Sequence, residues 1–63
     1  MAEIDAVLLK RIISDVEESL QEQGFSLPAK NKAELVVRLY ESARRDGGAP
    51  RRIETDRFVW MAK

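Results

Sequence analysis

The sequence predicts an all-α fold: a long N-terminal helix, an antiparallel second helix and a short C-terminal element, forming a single small domain over residues 1–63. Three observations predict it. Apolar residues recur at spacings of three and four through residues 3–23 and again through residues 33–43. The first run ends at Gly24 and the second before Gly47-Gly48, and glycine is the residue that closes helices most cheaply. Beyond the tail itself, no segment offers a strand for the tail to pair with, and a lone strand is not stable.

Residues 3–23 read as one amphipathic helix without an internal Gly or Pro. Ala2, Ala6, Leu9, Ile13, Val16 and Leu20 alternate in spacing like the seam of a coiled coil, and Ile4, Val7, Leu8 and Ile12 add a second apolar strip beside it. At about 100° per residue, Leu8, Leu9, Ile12, Ile13, Val16 and Leu20 span roughly 140° of the helix surface. One neighbour covers a narrower stripe, so this helix is expected to touch two partners. Gly24 ends it, and Phe25 is placed to fold back on its last turn. Pro28 keeps Leu27 out of helical dihedrals, so Ser26-Leu27-Pro28 reads as an extended connector pinned by Phe25 and Leu27.

Asn31-Lys32-Ala33-Glu34 has the form of a capping box and marks the start of the second helix. Its apolar face is Ala33, Val36, Leu39, Tyr40 and Ala43, flanked by Leu35 and Val37. Arg44 and Arg45 sit favourably near its C-terminus, before the Gly pair and Pro50. Arg51 to Lys63 has two readings. As a helix it gathers Ile53, Trp60 and Met61 on one side; as a strand it puts Ile53, Thr55, Val59 and Met61 on one face and Phe58 and Trp60 on the other. The helix is favoured.

Composition excludes more than it assigns. The 63 residues include no Cys and no His, so disulfides are impossible and a structural zinc site lacks its preferred ligands. The usual proton-transfer residue and the readiest nucleophile are both missing, and Glu17, Glu18 and Glu22 read as a solvated face. Gly47-Gly48 follows a helix instead of opening one, which does not fit a phosphate loop. No enzyme, cofactor or metal is expected. Charged residues break every apolar stretch, so no membrane span is expected. The acidic Met1-Ala2-Glu3-Ile4-Asp5 is unlike a secretory signal, and a cytoplasmic location is expected.

Eleven basic and eleven acidic side chains cancel, but unevenly along the chain. Residues 1–29 hold two basic and six acidic, a balance of −4, and residues 30–63 hold nine and five, a balance of +4. Such asymmetry can mark a surface for nucleic acid. Glu34 with Arg38 and Glu41 with Arg45 stand in the favourable order for intrahelical pairs. That leaves Lys30, Lys32, Arg44, Arg51 and Arg52 as candidate nucleic-acid-binding cations.

Residues 16–39 read V-x-x-x-L-x-x-x-G-F, a Pro-containing connector, then K-A-E-L-V-V-R-L. This stretch resembles the SAP motif, a helix–extended–helix module that binds nucleic acid, through Val16, Leu20, Gly24, Phe25, Lys32, Ala33, Glu34, Leu35, Arg38 and Leu39. The connector is one residue longer than that family's, and Ala29 or Lys30 stands where the family carries Gly. The resemblance implies that Lys30, Lys32 and the open amides of the second helix's first turn face phosphates.

A chain of this size buries a marginal core, and without Cys or a metal a partner chain is the remaining support. The wide apolar arc of the first helix points the same way. The expected function is a non-enzymatic regulatory or adaptor module acting by protein–protein association, as a homodimer. Its candidate interface is Ile4, Val7, Leu8, Leu9, Ile12, Ile13, Val16, Leu20 and Trp60. Two alternatives stay open: a small DNA- or RNA-binding regulator using the basic half, and a monomer in which the tail folds back to close a three-helix bundle.

Overall fold

The computed structural model describes residues 4–63, which form three helices: α1 (Ala6–Gln23), α2 (Ala29–Asp46) and α3 (Arg52–Met61). Ala2 of the expected seam, and the expected helix start at Glu3, lie outside the described residues. α1 opens at Asp5, whose Oδ1 accepts the Leu8 N–H at 3.0 Å and so satisfies one of the first turn's spare donors. Ile4 therefore precedes the helix. Gly24 closes α1 in the left-handed conformation (φ 77°). Its N–H donates to the Gln21 carbonyl while the Phe25 N–H donates to that of Leu20, the paired bonds of a Schellman ending.

The start of α2 differs from the capping box the sequence suggests. The helix begins three residues earlier than a cap at Asn31 allows, with Pro28 as its N-cap and no side chain capping it. Pro28 supplies the extended dihedrals of a cap by itself (φ −55°, ψ 148°), and its carbonyl accepts the Lys32 N–H at 2.9 Å. Ala29 and Lys30 are good helix formers, so nothing delays the helix to Asn31. At the far end Gly47 (φ 82°) accommodates the turn, and its N–H and that of Gly48 both donate to the Ala43 carbonyl.

α1 and α2 run antiparallel. The Asp5 N–H donates to Tyr40 Oη at 2.7 Å at one end, and Lys32 pairs with Glu17 at 2.9 Å towards the other. The tail is a helix, and α3 folds back on both of the others. The core is Ile12, Val16 and Leu20 from α1, Leu35, Leu39 and Ala43 from α2, and Val59 from α3. Leu8, Phe25, Leu27, Val36, Tyr40, Phe58 and Ala62 pack around it, so Phe25 and Leu27 do pin the connector.

Two expected faces are rotated. On α1, Ile12 is fully buried, whereas Ile13 is 44% exposed and Ala6 lies open. The reason is polar: Ser19 is fully buried beside Ile12, Val16 and Leu20, so the inner face includes a residue that a hydrophobic pattern counts as solvent-facing. On α3 the buried side is Thr55 and Val59 with Phe58 and Ala62, and the Ile53–Trp60–Met61 strip points outward. Among the described residues no helix is long and apolar enough to cross a membrane.

Candidate functional site

Polar side chains dominate the outer part of the α1–α3 junction. The Arg52 guanidinium meets Glu18 Oε2 at 3.0 Å, Glu22 Oε2 at 3.0 Å and Asp56 Oδ1 at 3.2 Å. Asp56 Oδ1 also accepts the Ser19 hydroxyl at 2.6 Å. Gln23 Nε2 donates to Ser19 Oγ at 2.9 Å and to the Asp56 carbonyl at 3.2 Å. The arrangement follows from helical spacing, because Glu18 and Glu22 are one turn apart on α1 and Arg52 and Asp56 one turn apart on α3. Desolvation works against the Arg52 charge, but the hydrogen bonds to Asp56 and Glu18 and the neighbouring Glu22 and Asp56 charges outweigh it, so its pKa is raised above the ordinary arginine value. The chemistry here is adhesion between helices, with each side chain of the cluster engaged by at least one other.

This clamp changes the standing of the five candidate cations. Arg52 is committed to three carboxylates and Lys32 to Glu17. Arg44 donates to Tyr40 Oη at 3.2 Å and lies 5.9 Å from the centre of that ring. Lys30 and Arg51 are exposed, and neither makes an ion pair among the described residues. The intrahelical pairs Glu34–Arg38 and Glu41–Arg45 are not among the ion pairs formed. The acidic first half instead pairs across helices with basic residues further along, a placement that periodicity within one helix does not reveal.

The candidate interface residues also divide. Ile12, Val16 and Leu20 are sealed in the core of a single chain, and Leu8 and Leu9 are half-buried. Ile4, Val7, Ile13 and Trp60 remain exposed. Sequence reasoning left out three residues of the same kind: Val37, Ile53 and Met61. For two of them the signal was present, since the spacing of Ile53, Trp60 and Met61 already put them together. Those three line one open groove with Glu22, Asp56 and Arg57. The Trp60 ring is held beside the Lys63 ammonium, 4.8 Å from its centre, and that same ammonium stands 5.0 Å from the centre of the Phe25 ring. No group of three or more acidic side chains among the described residues is arranged to hold a metal ion.

Comparison with protein-family models, curated proteins and solved structures finds no match for this chain.

Proposed function

We propose that this chain is a small, non-enzymatic regulatory or adaptor module of the cytoplasm that works by protein–protein association, as a homodimer. The observation that supports this most is the outward α3 strip: Trp60 keeps 60% of its surface exposed, between Ile53 and Met61, although the core beneath is already filled from the same chain. A contiguous exposed apolar group beside polar residues is characteristic of an association site, and Trp is enriched among residues that dominate binding. Ile4 and Val7 at the start of the chain add a second exposed apolar pair. The basic half offers less, because Lys32 and Arg52 are neutralised by carboxylates of α1.

Light scattering on the chain alone and with a mixed DNA and RNA pool tests the reading. The expected result is self-association that holds from about 50 to 500 mM salt and no nucleic-acid complex at the low end, where phosphate contacts are strongest. A complex that forms there and dissolves steeply as salt rises would replace this reading with nucleic-acid binding through Lys30 and its basic neighbours.

A further inference from the structure

Ile53, Asp56, Arg57 and Trp60 fall at i, i+3, i+4 and i+7 on α3, the spacing of a single helix face. All four line the same open groove. Read along the chain, the strip runs apolar, acid, base, apolar. That order is complementary to its own reverse. About a two-fold axis between positions 56 and 57, Ile53 of one copy meets Trp60 of the other, and Asp56 of one meets Arg57 of the other. A two-fold contact requires a patch to fit itself in this way.

The charged pair at the middle of the strip is also incompletely used within the chain. Ser19 and Arg52 both bind Asp56 through Oδ1, while Oδ2 makes no hydrogen bond among the described residues. Arg57 is exposed and forms no ion pair among the described residues. Asp56 and Arg57 both line the groove. Glu22 and Asp56 in that groove work against a phosphate or an anionic lipid as its occupant.

We propose that the outer strip of α3 is the surface on which two copies of this chain associate, with the two α3 helices antiparallel and Ile53 set against Trp60 of the second copy. This rests on the association reading above and adds its surface and register. Ile53, Trp60 and Met61 are 60%, 60% and 72% exposed, so each has area to bury. Even if each buried as much as a whole aromatic, about 150–250 Å², these three side chains would fall short of the roughly 800 Å² per partner of a standard interface. The dimer therefore belongs to the weak, transient class of small interfaces.

The register has its own test. Ile53→Lys and Trp60→Glu each place a charge against an apolar residue twice per homodimer. Mixed one to one, the two variants set the new lysine against the new glutamate once and form the native Ile53–Trp60 contact once. Sedimentation equilibrium from about 10 to 500 µM is expected to show the wild type shifting towards the mass of two chains. Each variant alone should associate at least about tenfold more weakly, a difference of about 1.4 kcal/mol, and the mixture should recover most of the wild-type behaviour. Far-ultraviolet circular dichroism checks that each variant is folded, and the inverse pair, Ile53→Glu with Trp60→Lys, takes over if either is not. Wild-type association that survives both single substitutions, or that the mixture fails to restore, overturns the α3 surface or its register and leaves association itself standing. A wild type that stays at the mass of one chain throughout overturns the homodimer reading as well.

Discussion

Ile12 has no exposed surface, while Ile13, next in the chain, keeps 44% of its surface open to water. The two differ by about 100° around the helix, which is enough to move a side chain from the core to its edge. Replacing Ile12 by Ala removes buried methyl groups and leaves a cavity, at a cost of about 2–5 kcal/mol; the same change at Ile13 should cost well under half of that. Urea unfolding of the two variants checks the assignment, and an equal loss for both would mean that the inner face of α1 is misplaced. Thr55 poses the opposite question. It is fully buried on α3, and its hydroxyl finds no partner among the described residues. An unsatisfied buried hydroxyl costs about 1–3 kcal/mol, so Thr55→Val, which keeps the shape and removes the polar atom, is expected to raise stability by about 1 kcal/mol. A lower melting temperature for that variant would show that the hydroxyl is bonded after all.

The helix ends show which local signals are sufficient. Gly24 and Gly47 close α1 and α2 as their sequence positions suggest, both at positive φ. Neither would bring an added Cβ into contact with a neighbour, so any cost of substitution lies in the backbone alone. Gly47→Ala should therefore destabilise by about 1–2 kcal/mol, the left-handed penalty of an ordinary residue. Gly48, with open space around it and no positive φ, should tolerate Ala with little change or a slight gain. Thermal melts of the two neighbouring variants separate the backbone effect from any loss of contacts. Helix beginnings were harder to read. The Asn31 box is a real sequence pattern, yet Pro28 starts α2 earlier because its own dihedrals already serve as a cap. The Asp5 cap on α1 is masked in the sequence, because the apolar pattern continues past it to Ile4.

Across the whole molecule, α3 covers apolar surface of both α1 and α2. Val59 lies in the core with Ile12, Val16 and Leu20, and Arg52 and Asp56 join α3 to Glu18, Glu22, Ser19 and Gln23. A chain ending at Gly48 loses all of these, and it is expected to melt without a cooperative transition. Circular dichroism follows this directly, and a sharp melt for the shortened chain would show that α1 and α2 fold without α3. The sequence by itself determined the all-helical class, the closing glycines, the extended connector and the grouping of Ile53, Trp60 and Met61 on one side of α3. Each of these depends on residues within about two helical turns, where spacing and backbone preference decide the outcome. Tertiary structure alone decided which side of α1 is inner, because Ser19 is buried for a hydroxyl bond to Asp56, 37 positions away. It also decided the use of the uneven charge: Glu18 and Arg52, 34 positions apart, meet only once α3 has docked. Periodicity along one helix carries no information about such pairs, because the partner that makes a polar residue inexpensive to bury lies on another helix.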